Sequence, residues 1–371
     1  MTDVLIIGGG VIGLSLAWDL AQHGRQVQVI DSGEPGKEAS WAGAGILPPT
    51  SWKAALHPYD QLRALSSELH PLWAAALSKQ TGIDTGYRTC GGIYLARTPG
   101  EAASLTGWAN AATEEGIEVH RLGEREWEES GIREQGAVEG RRIRAAYLLP
   151  KEAQLRNPRH LQALRTACER LGVVITPGGA ALDFEIRDGR VQTVITSAGP
   201  LQASQFCLTS GAWTGQICAT LGIPLGIFPI RGQMVLFNTH DVSVLKHIVT
   251  EGSRYLIPRE DGHVLAGSTE EEVGFDKSTT EEAVADLIAF ARGLVPALEN
   301  ATVERKWAGL RPASFDSLPY LGLLPGLANC FVASGHFRSG LYLSPATAVV
   351  MSQMMRGEQP QIDLGPFRTG R

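Results

Sequence analysis

The stretch Val4-Leu5-Ile6-Ile7-Gly8-Gly9-Gly10-Val11-Ile12-Gly13-Leu14-Ser15-Leu16, followed by Val27-Gln28-Val29-Ile30-Asp31, decides how this chain folds. Val4 to Ile7 is apolar and rich in β-branched residues, Leu14 to Gln22 has helical spacing, and Val27 to Ile30 is a second short run of the first kind. Strand, glycine turn, helix and parallel strand make one βαβ unit, with Gly8, Gly10 and Gly13 in GxGxxG spacing at the turn. Gly8 permits the tight turn, Gly10 removes a Cβ where a pyrophosphate must approach backbone, and Gly13 with Ala17 lets the helix close onto the strands. The helix start offers unpaired N–H groups and partial positive charge to phosphates. Asp31 ends the second strand, where a carboxylate accepts ribose hydroxyls and disfavours a 2′-phosphate. An ADP moiety is expected here. NAD and FAD share the fingerprint, so the choice between them needs other residues.

The segment 32–49 is rich in Gly, Ala and Ser, lacks periodicity and is too long for a casual connection. Its part Ala39-Ser40-Trp41-Ala42-Gly43-Ala44-Gly45-Ile46-Leu47 combines small side chains with exposed backbone amides, which suits close contact with a flavin and its phosphates. Further on, the spacing predicts helices over 59–80, 101–115 and 158–171, and strands over 92–96, 144–148, 182–186, 191–196, 228–237, 254–258 and 263–267. The later strands alternate and lie close together, which predicts an antiparallel sheet distinct from the parallel N-terminal one. Residues 328–334 read as a buried strand and 340–355 as a helix with small residues on its early turns. The expected fold class is α/β with two domains. A discontinuous Rossmann-type nucleotide domain takes 1–85, 150–225 and 320–371, and a substrate domain built on a mostly antiparallel sheet takes 86–149 and 226–319.

At 371 residues and 43% apolar composition, the chain can bury the core of two domains. Its net charge of -6 is modest and its basic residues are dispersed, so no footprint for nucleic acid or anionic lipid is present. That leaves a small-molecule partner. Five cysteines (Cys90, Cys168, Cys207, Cys218, Cys330), an odd number without a CxxC pair, indicate neither a disulfide framework nor a metal site. A reducing compartment, the cytoplasm, is expected. The apolar run from Val4 to Leu16 has no basic residue before it and contains four glycines at motif spacing, so no export signal is expected. No stretch is apolar for long enough to span a bilayer.

Beside the fingerprint and Ala44-Gly45-Ile46-Leu47, the chain carries Ser210-Gly211-Ala212-Trp213, Arg231-Gly232-Gln233, Tyr255-Leu256-Ile257-Pro258-Arg259, Trp307-Ala308-Gly309-Leu310-Arg311-Pro312 and Gly335-His336-Phe337-Arg338-Ser339-Gly340. On these motifs it resembles, nearly end to end, the D-amino-acid oxidase family of FAD enzymes, and within it the glycine oxidase branch of thiamine biosynthesis. The resemblance implies FAD held by Gly8, Gly10, Val11, Ile12, Gly13, Asp31, Ser32, Ala39, Ser40, Ala44, Gly45, Ile46 and Ala181. It also implies a final FAD segment of His336, Phe337, Arg338, Ser339, Gly340, Leu341 and Tyr342, beside the pyrimidine edge of the flavin. A covalent flavin of the sarcosine oxidase kind needs a cysteine thioether; residues 305–321 contain none and Cys330 reads as core, so noncovalent FAD is expected.

A guanidinium is a planar fork that matches a carboxylate, although most arginines spend it on ion pairs within the protein. The resemblance implies that Arg311 is the substrate carboxylate clamp, Arg338 a second substrate contact near the amino group and flavin, and Tyr255 a donor to the same carboxylate. The implied reaction is oxidative deamination of a small amino acid (glycine, sarcosine or a small D-amino acid) to an imine, then keto acid or glyoxylate and ammonia, with oxygen giving hydrogen peroxide. No general base is required if the amine binds neutral, so orientation and electrostatics carry the rate, and His336 is expected to be structural. Two departures point toward a somewhat larger D-amino acid or an N-methyl amino acid. Ser253 stands where glycine oxidases often have histidine, and residues 48–55 lack an acidic side chain. Relatives commonly form dimers or tetramers, so a homo-oligomer is compatible with the resemblance. Three other readings are weighed beside it: a D-amino-acid dehydrogenase passing electrons to a quinone, an NAD dehydrogenase, and a noncatalytic nucleotide binder.

Overall fold

The computed structural model describes residues 2–133 and 142–371; Met1 and residues 134–141, the latter inside the expected 86–149 segment, lie outside the described residues. Val4–Ile7 sits in the middle of a six-stranded sheet, parallel to Val27–Ile30 on one side and to Gln205–Leu208 on the other. Val174–Thr176 extends one edge; Cys330–Ser334 and then the antiparallel Tyr320–Leu323 extend the other. Val4, Leu5 and Ile6 are wholly buried, which is why this strand is a continuous apolar run rather than an alternating one. The helices Val11–Gln22, Pro58–Thr81, Asn157–Arg170 and Gly340–Met355 share one apolar core with this sheet. Ala346 and Ala348 of the last helix are wholly buried, so its small residues serve close packing.

A second sheet has eight strands, in the order Thr302–Ser314, Ile227–Asn238, His263–Gly267, Arg254–Pro258, Ile248–Glu251, Gly92–Ala96, Ala145–Leu149 and His120–Arg121. Its pairings are antiparallel except between Ile248–Glu251 and Gly92–Ala96. The helix Glu281–Leu294 covers it with Val284, Leu287, Ala291 and Leu294, the spacing of one helical face. The runs at 182–186 and 191–196 belong to neither large sheet. They form Ala181–Arg187 and Arg190–Thr196, which with Gly199–Leu201 make a small antiparallel sheet of their own.

The strand Thr302–Ser314 is absent from the pattern-based reading for a physical reason. Glu304, Arg305 and Lys306 are exposed in succession and Pro312 interrupts the donors, a combination tolerated because this strand is the sheet edge. Register then aligns one row across the sheet: Trp307 opposite Met234, Met234 opposite Gly267, Gly267 opposite Tyr255, Tyr255 opposite Thr250, Thr250 opposite Tyr94. Directly paired residues share a face, so these side chains tile one surface, and Gly309 and Arg311 join it at alternate positions beyond Trp307. No helix among the described residues is long and apolar enough to cross a membrane. The five cysteines are unpaired.

Candidate active site

A cavity of about 690 Å³ opens between the two large sheets. The first contributes Gly8, Gly10, Val11, Ile12, Asp31 and Ser32, joined by Ala39, Ser40, Ala44, Gly45, Ile46 and Ala181; the second contributes Gly232, Met234, Thr250, Tyr255, Gly309 and Arg311. The segment His336, Phe337, Arg338, Ser339, Gly340, Leu341 and Tyr342 completes the wall. Of the residues expected to hold FAD or substrate, Gly13 alone does not face it. A Cβ there would collide with the Gly8 carbonyl and the Thr209 hydroxyl, so Gly13 acts through packing of helix on strand.

The nucleotide end has the properties an ADP group requires. Gly8 has φ +116°, and a side chain on it would press on the Thr209 backbone. At Gly10 a Cβ would meet only the Ser40 hydroxyl, at 3.2 Å; the remaining space it would fill is cavity. The helix Val11–Gln22 starts without an acidic residue in its first turn, so its positive end is not neutralised from within. Asp31 lines the cavity, and its carboxylate accepts from Gly9 N at 2.8 Å and Gly33 N at 2.9 Å, pinning the glycine turn.

Ser40 reaches across the cavity wall and accepts from Val11 N at 2.9 Å, capping the helix from outside it. Ser40→Ala is expected to lower stability by about 1 kcal/mol in the cofactor-free protein, read as a fall in Tm. An unchanged Tm would show that water replaces the cap fully.

The other end holds the charged groups. Arg311 donates from Nη2 to Ser268 Oγ at 2.6 Å and from Nη1 to the Thr269 carbonyl at 3.0 Å, and it makes no ion pair among the described residues. Its guanidinium lies against the bare Cα of Gly232. Burial pushes its pKa down, opposed by the neighbouring Tyr255 phenol. Tyr255 is buried, with its hydroxyl 3.4 Å from Met234 Sδ. Arg338 differs: Nη1 is 2.7 Å from Glu270 and Nη2 is 3.5 Å from the Ser253 carbonyl, at a position two-fifths exposed. The His336 imidazole is turned into the protein, 3.1 Å from Thr347 Oγ1.

Comparison with known proteins agrees with this geometry. The family model for FAD dependent oxidoreductase (DAO) matches residues 3–354. The chain belongs to that family. It is 36% identical to the glycine oxidase of Pseudomonas putida over 98% of this chain and 97% of that one. The crystal structure of glycine oxidase from Geobacillus kaustophilus superimposes with a TM-score of 0.92 at 30% identity, covering 100% of this chain and 98% of that one. Iminodiacetate oxidase from Chelativorans sp. BNC1 gives 0.87 at 26%, covering 99% and 98%.

In this FAD-dependent oxidoreductase, several further residues shape the cofactor end, and their roles there are not evident from the sequence. Asn157 lines the cavity, donates to the Ser40 carbonyl at 2.7 Å and keeps a buried Oδ1 without a partner. Arg259, buried, donates to Ala44 O at 2.6 Å, Leu155 O at 2.9 Å and Gln154 Oε1 at 2.7 Å. Burial, with Arg156 and Arg88 nearby, pushes it down to about 9. Trp307 Nε1 donates to Ala42 O at 3.1 Å, and Gly309 lets Ala42 approach. The second sheet thus clamps the loop that bears Ala39 to Ile46.

Buried titratable groups give the oxidoreductase a defined acid response. Burial pushes His70 down to about 4, and His160 and His336 down to about 3, so all three stay neutral while the unfolded chain protonates them near 6.5. Their stabilisation is present above pH 6.5 and lost on acidification. Glu152 is opposite: burial raises it to about 7 from 4.5, so its contribution is present below pH 4.5 and fades as pH rises through 7. Between pH 5 and 6 the three buried histidines gain protons on unfolding, while Glu152, together with Asp19 and His263, whose pKa values are also raised in the folded protein, releases them; the three buried histidines outweigh these, so net proton uptake on unfolding is expected. Denaturant titrations across that range should show stability falling as pH falls; a flat profile would refute the assignment.

Proposed function

We propose that this enzyme oxidises the carbon–nitrogen bond of glycine, sarcosine or a small D-amino acid, giving an imine that water converts to glyoxylate or a keto acid and an amine or ammonia. Oxygen is the final acceptor and hydrogen peroxide the second product. The observation that carries this reading is Arg311: a charged fork in the cavity, held by neutral acceptors beside a tyrosine hydroxyl, is suited to one carboxylate. Bound FAD supplies the hydride acceptor. Arg311 and Tyr255 hold the substrate carboxylate, so the α-carbon is presented in one orientation. Met234 and Thr250 wall the same surface. The helix start at Gly340 directs backbone N–H dipoles into the cavity, where they offset developing negative charge. Ser253 lines the cavity and takes less space than histidine, which favours an N-methyl or small α-substituent.

The assignment of 1–85, 150–225 and 320–371 to the cofactor domain, and of 86–149 and 226–319 to the substrate domain, is supported by the two large sheets, whose strands divide along these bounds; Arg88–Thr89, which pairs with Ala153–Gln154, crosses them. Unpaired cysteines suit a reducing compartment such as the cytoplasm.

The test is anaerobic mixing of the FAD-loaded protein with glycine, sarcosine, D-alanine and D-proline, followed by air. Bleaching of the flavin band, then rapid recolouring with stoichiometric peroxide, is expected. Failure to bleach with all of them overturns the reading, and bleaching with slow recolouring assigns the enzyme to the dehydrogenases.

A further inference from the structure

The segment Ser268-Thr269-Glu270-Glu271, which follows the strand His263–Gly267, meets three arginines and treats each differently. Arg231 is buried and doubly neutralised, 2.5 Å from Glu271 and 2.6 Å from Asp276. Arg338 is singly neutralised, by Glu270 at 2.7 Å. Arg311 meets no carboxylate among the described residues: it donates to the Ser268 hydroxyl, the Thr269 carbonyl and, at 3.4 Å, the Arg231 carbonyl. The two arginines that face the cavity are therefore opposed by one carboxylate, which leaves one net positive charge for the substrate. That matches an amino acid bearing one carboxylate. A second carboxylate on the substrate would have to displace Glu270 from Arg338 or lie beside its negative charge.

We propose that Glu270 is a specificity-determining residue: by occupying Arg338 it restricts the enzyme to amino acids with a single carboxylate. The inference rests on the reading that Arg311 takes the substrate carboxylate. Discrimination of this kind comes from a repulsive element against the wrong ligand, added to attraction for the right one. The Glu270–Arg338 pair is exposed on both sides, 39% and 40%, so it is loosely held and its release leaves the core intact.

Sarcosine and iminodiacetate make the discriminating pair, since both are N-substituted glycines and differ by one carboxylate. Glu270→Gln is expected to raise the ratio of kcat/KM for iminodiacetate over sarcosine on the order of tenfold, the scale of one released charge contact. Glu270→Gln combined with Arg338→Gln is expected to return the ratio toward its starting value. Glu272→Gln, which removes the same charge from an exposed neighbour, is expected to leave it unmoved. A ratio unchanged in Glu270→Gln, or raised equally by Glu272→Gln, overturns the proposal. Calorimetric titration of the FAD-loaded protein with malonate and with acetate supplies a readout independent of turnover. Glu270→Gln is expected to tighten malonate relative to acetate by a similar factor, and an unchanged preference overturns the role of Glu270. If no amino acid reduces the flavin in any variant, the oxidase reading fails, and the malonate titration still decides Glu270.

Discussion

Arg311→Met is expected to lower kcat/KM for the amino-acid substrate by about a thousandfold while FAD remains bound. Two charge-assisted hydrogen bonds to a carboxylate in a partly desolvated cavity are together worth about 3 to 5 kcal/mol, and about 4 kcal/mol is a factor of a thousand. Most of the loss should lie in KM, because the carboxylate is bound in the ground state and the transition state alike. A smaller loss in kcat follows from poorer orientation of the α-carbon. Arg311→Lys should rescue little: an ammonium is a point charge and does not reproduce the fork that spans Ser268 Oγ and the Thr269 carbonyl. Steady-state kinetics, with flavin absorbance to confirm loading, checks both variants. Unchanged KM in Arg311→Met would remove Arg311 from substrate binding.

The elements that pattern reveals best are those whose environment is uniform along their length. Val4–Ile7 and Val27–Ile30 are parallel strands, the first wholly buried, and their continuous apolar runs coincide with the observed bounds. Gly92–Ala96, Arg254–Pro258, His263–Gly267 and Gly340–Met355 coincide as well. Thr302–Ser314 does not, because its first half is an exposed edge and its second half lines a cavity, so no single period describes it. Yet that strand carries Arg311. The arginine was legible through the motif around it, whereas the strand was not legible through its spacing.

Contacts made with backbone carbonyls are harder still to read. Arg259 lies four residues after Tyr255, just past the end of the same strand, and ties Ala44 and Leu155. Two of its three acceptors are backbone carbonyls, which no side chain betrays. The charge sorting by Ser268 to Glu271 is similarly hidden: four adjacent residues reach arginines at 231, 311 and 338, which only the fold brings together. Arg338 was singled out in the sequence as a substrate contact, and the structure places it on the cavity wall, but with Glu270 already attached.

Gly232→Ala is expected to reduce kcat/KM by two to three orders of magnitude with little change in stability. In the antiparallel pairing Gly232 lies opposite Gly309 while Arg311 lies opposite Ile230, so the Arg311 side chain crosses diagonally over Gly232. A Cβ at 232 would collide with Cζ and both terminal nitrogens of the guanidinium. The colliding atoms are the end of a flexible side chain, so the protein escapes by swinging Arg311 aside rather than by unfolding. Alanine also loses less backbone entropy than glycine in a strand, which offsets part of any strain. The swing costs Arg311 its bonds to Ser268 and Thr269 and moves the fork off the carboxylate position, a displacement of ångström scale that catalysis does not tolerate. If this is the route, Gly232→Ala and Arg311→Met are not additive: the double variant should match Arg311→Met alone, because the alanine then displaces nothing. Losses that multiply in the double variant would show that Gly232 serves the cavity independently of Arg311.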